Sequence, residues 1–475
     1  MITFLIALGS LIAGYAIYSK IVDNIIAPTD NPTPAITKAD GVDFIALPTW
    51  KVFLIQLLNI AGLGPIFGAL GGALWGPVVY FWIVIGTIFA GGVHDYLSGM
   101  MSLREGGKSI TEIVGNELGD TILTVMRVFL VVLMILVGTV FLTGPAMLIA
   151  KLTAMPLMPW LIAILIYYFL ATLLPIDTLI ARFYPIFGAA LIIMAIGIMG
   201  GMLLGVGGHT MPEMQLANLY PSDDPLPIWP LMFITVACGA VSGFHSTQSP
   251  LMARCLKSER LGRPVFYGAM VMEGVIALIW AAAGVTFYDS TGGLAAALKA
   301  GGPGGAVYDI CIGFMGSGVG VTLAMLGVVA CPITSGDTAF RAARLILADW
   351  FKLEQGSTAN RLKFAIPLLA IGGVLTQIDF NIIWRYFSWM NQTLAMIILW
   401  TGTVYLHRTH PNSNAYLVSL IPAMFMSVVT FTYILQAKEG FELATSITYP
   451  AGVIFALACL AACIKTRFTQ QPLHH

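Results

Sequence analysis

Charge is scarce in this chain. Of its 475 residues, 10% are Asp, Glu, Lys or Arg, against about 25% in soluble globular proteins. So few charges cannot cover a water-facing surface, which excludes a soluble multidomain protein of this length. The 23 basic and 23 acidic residues cancel, so there is no basic field for nucleic acid. The six cysteines form no Cys-x-x-Cys pair. They read as reduced apolar residues, and Cys459 and Cys463 have no His or acidic companions for a metal site. The Gly-Leu-Gly-Pro string is followed by apolar residues rather than Gly-Lys-Ser/Thr, so it is no phosphate loop, and the HExxH and GxSxG patterns are absent. No loop is long enough for a nucleotide-binding domain. The N-terminus lacks a basic segment and a small-residue cleavage site, which reads as a retained helix rather than a signal peptide.

What the chain has in abundance is apolar length: 58% hydrophobic residues and a mean hydropathy of +0.87. A spanning helix needs about 20 mostly apolar residues. Thirteen segments qualify: 2–19, 52–72, 77–102, 121–149, 158–175, 183–206, 228–249, 264–287, 306–333, 363–378, 380–406, 413–436 and 446–464. The expected fold is an all-α integral membrane protein of about thirteen helices. Basic residues concentrate in alternate loops, and all but Lys151, Lys299, Arg385 and Lys438 fall on one side. That side reads as the cytoplasm, which puts the N-terminus outside and the C-terminus inside a bacterial inner membrane.

Two spans are interrupted at their middles. The second reads NIAGLGPIFGALGG, with Gly62, Gly64 and Pro65 near its midpoint, and the seventh reads CGAVSGFHSTQSP. Such breaks free backbone groups, which lipid tolerates only against protein or a cavity. Five helices (52–206) begin with the first break and five more (228–406) with the second. Five is odd, so the halves enter from opposite sides as an inverted repeat. Residues 1–51 form an N-terminal helix and connector, and 413–464 two further C-terminal helices. Matching broken helices point to a transporter's binding site, formed here by Ala61, Gly62, Gly64, Ser242, Gly243, His245, Ser246 and Gln248. A packing kink is the simpler reading of either break alone.

The strings NIAGLGPIFGAL, WGPVVYFWIVIGTIFAGGVHDYLSGMMSLREGGKSITEIVG, FHSTQSPLMARCLKSE and CPITSGDTAFRAARLILAD resemble the carbon starvation protein A (CstA) family over roughly residues 50–410. The resemblance implies a LeuT/APC-like five-plus-five core. It also implies peptide uptake during carbon limitation, some relatives importing pyruvate with protons. The best-known members are longer, with further C-terminal spans. In the related superfamily sodium often sits between the first broken helix and the eighth core helix. That implies a sodium site from Ala61, Gly62, Thr334 and Ser335, at the inner end of the ninth span.

Ionisable residues at membrane depth are costly and usually functional. Glu273 and His245 are proton-coupling candidates, and Asp337 a third; interhelical hydrogen bonding is the plainer role of each. His94 and Asp95, adjacent and so on different helix faces, are not expected to pair with each other. A gating or structural ion pair near Arg104 or another helix fits them better. Arg385 reads first as snorkelling to the outer interface and second as a gate paired with an acid. The expected function is secondary active transport of a short peptide by alternating access, coupled to protons through the titratable Glu273, His245 and Asp337. A pyruvate or small-carboxylate symporter using protons or sodium is the alternative; a channel or nutrient sensor is the competitor from another class. No enzyme activity and no cofactor beyond a sodium ion is expected, and the partners are substrate, coupling ion and lipid.

Overall fold

Inside a bilayer each backbone donor and acceptor needs an internal partner, so a long apolar chain resolves into helices. The structure, a computed structural model, describes residues 1–40, 44–173, 177–354 and 357–469, without the side chains of 177–185, 331 and 466–469. The end of the fifth expected span, 174–175, lies outside the described residues. Among those described, every regular element is helical. In chain order the main helices are α1 (Ile2–Ile26), α2 (Thr49–Ile60), α3 (Gly64–Gly72), α4 (Gly92–Arg104), α5 (Asp120–Thr153), α6 (Leu157–Leu173), α7 (Asp177–Leu203) and α8 (His245–Ala253). They continue with α9 (Gly268–Phe287), α10 (Thr291–Met315), α11 (Cys331–Trp350), α12 (Thr358–Leu375), α13 (Phe380–Thr409), α14 (Leu417–Gln436) and α15 (Thr445–Thr469).

Among the described residues, eight helices are long and apolar enough to cross a membrane, and the pair 49–60 and 64–75, bent by 47°, makes a ninth. The other four expected spans fall on helices that are shorter, more polar or interrupted. Leu157–Leu173 has 17 residues, a π-helical stretch Gly86–Gly91 leads into α4, the seventh is unwound at its middle, and α13 carries Asn391, Gln392 and Arg385. The ninth span is displaced. Instead of 306–333, the apolar helix runs over Val319–Trp350. The apolar stretch before it belongs to α10, kinked at Gly302 (φ 64°) and stopped at Gly316 (φ 79°). Thr334 and Ser335 therefore stand near the middle of that long helix rather than at its inner end.

The helix ending in α9 sits innermost, with 83% of its apolar stretch buried, whereas α1 and α15 bury 22% and 17% and leave apolar faces for lipid. Burial thus separates a central bundle from three outer helices, α1, α15 and α12, the last also 22% buried. Glu213, in the loop 207–227, caps the N-terminus of α1. It accepts from the Met1 ammonium, from the amides of Ile2 and Thr3, and from the Thr3 hydroxyl at 2.7–2.9 Å. These donors, the ammonium first, hold its carboxyl down at about 2.

Candidate transport site at two facing helix breaks

The two interrupted helices meet at their breaks. The first opens at Ala61 (φ −85°, ψ 49°), and α3 restarts with Pro65 in its first turn, where proline loses no helical hydrogen bond. The second leaves the helix at Val236 and resumes at His245. Glycine is what lets them touch. A Cβ on Gly64 would lie 2.3 Å from the Cβ of Cys238. One on Gly239, whose φ is +88°, would lie 2.4 Å from Ala277 and 3.5 Å from Pro65.

Unwinding frees carbonyls, and neighbouring helices take them up. The Phe233 carbonyl accepts from Gln392 at 2.7 Å and from the Trp82 indole at 3.1 Å, and the Gly239 carbonyl accepts from Thr87 at 2.9 Å. Asn391 clamps the segment from the other side. Its Oδ1 accepts the Phe244 amide at 2.7 Å, its Nδ2 donates to Ser242 at 3.0 Å, and its carbonyl accepts the Gly243 amide at 3.0 Å. Asn391 and Gln392 have no specific role in the sequence reading. Their signal in the sequence is two consecutive amides in an otherwise apolar stretch; both are fully buried, and buried amides must have partners.

Beside this break runs a buried chain of titratable groups. His94 Nδ1 lies 2.7 Å from Asp95 Oδ1, Asp95 Oδ2 lies 2.9 Å from His245 Nδ1, and His245 Nε2 lies 3.3 Å from Glu273 Oε2. All four side chains are 0% exposed. The chain joins α4, the first residue of α8, and α9. One of its links corrects the sequence reading. His94 and Asp95 do pair, because a carboxylate sealed from water uses both oxygens and bridges two imidazoles; the helix-face rule describes solvated surfaces. Arg104 is not Asp95's partner: it donates to Glu259 at 3.1 Å and to the Ile26 carbonyl at 2.8 Å. Glu273 is not alone, since His245 faces it.

His245 Nε2, His94 Nε2 and both Glu273 oxygens lack an aligned hydrogen-bond partner. Unmet buried capacity of this kind is costly. Cys238 Sγ, a His245 nitrogen and a Glu273 oxygen also lie within 4.8 Å of one another. They form a donor set of metal-ligating type, in which His245 Nδ1 already faces Asp95 at 2.9 Å.

The remaining expected residues are placed as follows. Ser246 and Thr247 donate to the Gly243 and Phe244 carbonyls at 2.6 and 2.7 Å, so they stabilise the restart of α8. Gln248 donates to Thr247 at 2.8 Å. A Cβ on Gly62 would meet the Phe141 ring at 3.1 Å, and one on Gly336 would meet the Cβ of Phe141 at 3.2 Å. The Phe141 side chain thus stands between the first break and the turn carrying Thr334 and Ser335. Asp337 is buried and ion-paired with Arg341 at 3.2 Å. Arg385 has the acid partner of its second reading: it lies 3.1 Å from Glu439, which is 7% exposed and also accepts from Tyr433.

Facing helix breaks lined with buried ionisable groups, in a bundle of apolar helices, define a membrane transporter. The fold agrees. A manganese transporter of Eremococcus coleocola superposes with a TM-score of 0.53 at 11% identity, over 89% of this chain and 97% of that one. Mhp1, a nucleobase-cation-symport-1 family transporter in a closed conformation with bromovinylhydantoin bound, gives 0.53 at 13% identity, over 89% and 94%.

The carbon starvation protein CstA family matches residues 1–155 and 121–290, and the chain belongs to that family. It is 40% identical over 352 residues to an uncharacterized membrane protein of Haemophilus influenzae, covering 63% of this chain and 95% of that one. It is 26% identical to the peptide transporter CstA of Bacillus subtilis, over 84% and 83%. It is also 26% identical to the pyruvate/proton symporter BtsT of Escherichia coli, over 56% of this chain and 46% of that protein.

Proposed function

We propose that the protein is a proton-coupled secondary transporter that imports short peptides across a bacterial inner membrane by alternating access. The observation that carries this reading is the chain His94–Asp95–His245–Glu273, fully buried and joined to the second helix break. His245 is the first residue of α8, so a substrate that moves the break moves one link of the chain. A proton on the chain and a substrate at the break then favour the same arrangement, which is the thermodynamic content of coupling. The substrate site is formed by Ala61, Gly62 and Gly64 with Ser242, Gly243, His245, Ser246 and Gln248. The names of the relatives support a carboxylate-bearing solute, and pyruvate is the second substrate within that class.

Thirteen spans, with inverted halves at 52–206 and 228–406, make the breaks equivalent elements of the two repeats. The N-terminus lies outside and the C-terminus in the cytoplasm. Sodium at Ala61, Gly62, Thr334 and Ser335 is the weaker coupling scheme, because Phe141 intervenes. Uptake of a labelled dipeptide into proteoliposomes under an inward proton gradient tests the reading. Accumulation that collapses with a protonophore is expected; equal accumulation under a sodium gradient alone contradicts it.

A further inference from the structure

Basic residues are rare on the side read as outside, and only Lys151, Lys299, Arg385 and Lys438 fall there. Lys151 is neutralised by Asp309 at 3.0 Å. The other three come from distant parts of the chain, on α10, on α13 and after α14, yet they line one cavity of about 360 Å³. That is within the roughly 300–1,000 Å³ of small-molecule sites. Glu439 is the one acid among its lining residues, and Arg385 holds it. Lys299 and Lys438 are exposed, and among the described residues neither has an ion-pair partner. The cavity therefore presents two uncompensated cations and a third shared one.

Its wall is aromatic. Phe67 stands 6.0 Å from both Phe380 and Trp384, centroid to centroid, and Trp75 stands 4.8 Å from Tyr220. Phe67 is one helical turn beyond Gly64 on α3, so this wall lies directly above the meeting point of the two breaks. Cations at the mouth, one carboxylate beside them and rings against the break suit one kind of occupant: a solute with a carboxylate end and an apolar body.

We propose that this cavity is the outer docking site for the carboxylate end of an organic acid of dipeptide size. Lys299 and Lys438 attract the carboxylate, Arg385 exchanges Glu439 for it, the released Glu439 accepts the dipeptide's ammonium, and the apolar side chain packs on Phe67 and Trp384. A three-carbon acid leaves most of the cavity empty, so the site selects for the larger solute. The inference rests on the transporter reading and on its orientation, but not on proton coupling.

The test is equilibrium binding of labelled alanyl-phenylalanine to the full chain in nanodiscs, with no gradient, and with the unlabelled dipeptide, its C-terminal amide and pyruvate as competitors. The amide is expected to compete at least tenfold more weakly than the acid, and pyruvate more weakly still. The double variant Lys299→Gln/Lys438→Gln changes only exposed side chains. It should raise Kd about tenfold and reduce the preference for acid over amide. Equal competition by acid and amide, wild-type affinity in the double variant, or no dipeptide binding at all would overturn the proposal. Acid-selective binding without proton-driven uptake rejects the coupling scheme and leaves this site standing; proton-driven uptake with acid-blind binding does the reverse.

Discussion

Single side chains carry the sharpest predictions. Glu273 ends the buried chain. Glu273→Gln keeps its size and one acceptor but removes the titratable proton. Gradient-driven uptake should fall at least tenfold while exchange of internal for external substrate persists; equal loss of both would make Glu273 a structural residue. Asn391→Leu removes the side-chain clamp on Ser242 and Phe244, leaving buried groups unpaired at about 1–3 kcal/mol each, while the backbone bond to Gly243 is kept. Its thermal midpoint in detergent should drop by several degrees, and an unchanged midpoint would mean that the second break is held by other contacts. His245 and Glu273 were legible in the sequence because ionisable residues stand out in apolar helices. Their partners were not. Asp95 and His245 are 150 positions apart, and nothing local says that their helices touch. Asn391 and Gln392 were visible as polar residues, but what they satisfy appears only when the unwound segment lies beside them.

Elements show why the breaks were legible and the ninth span was not. Gly62, Gly64 and Pro65 in one apolar run disrupt a helix wherever they occur, so the 47° bend follows from composition. The ninth span was misplaced because the second half of α10 is as apolar as a membrane helix, and one positive-φ glycine, Gly316, separates it from the real one. Close approach at the breaks gives a direct test. Gly239→Ala puts a methyl 2.4 Å from Ala277 Cβ at a φ that disfavours alanine. Overpacking of this kind costs about 1–3 kcal/mol; a fully stable variant that transports normally would show that the breaks do not pack as described. The cap on α1 behaves differently with pH. Glu213 has a depressed pKa, so its contribution is present above the ordinary carboxylate range and is lost only as pH falls through about 2. Glu213→Gln should therefore speed hydrogen exchange in the first turn of α1 by the same factor at pH 4.5 and pH 6. A factor that changes between them would mean that the cap titrates in that range.

At the scale of the whole molecule, burial and charge sort the chain consistently. Arg104 and Arg260, on the side read as cytoplasmic, pair with Glu259 and Asp30, while Lys299, Arg385 and Lys438 share one cavity at the other side. Cysteines introduced at Lys438 and at Lys257 should react with an impermeant maleimide from opposite faces of the membrane; labelling from one face would overturn the orientation. The bundle and its paired breaks were readable from hydropathy and glycine. The assembly of the buried chain, which needs α4, α8 and α9 together, was not. That chain is the central claim, and substrate-driven proton entry tests it most directly. Proteoliposomes loaded with a pH-sensitive dye, with no starting gradient, receive external dipeptide. The account predicts internal acidification with the wild-type protein and none with Glu273→Gln. Dipeptide entry without acidification in the wild type would contradict it.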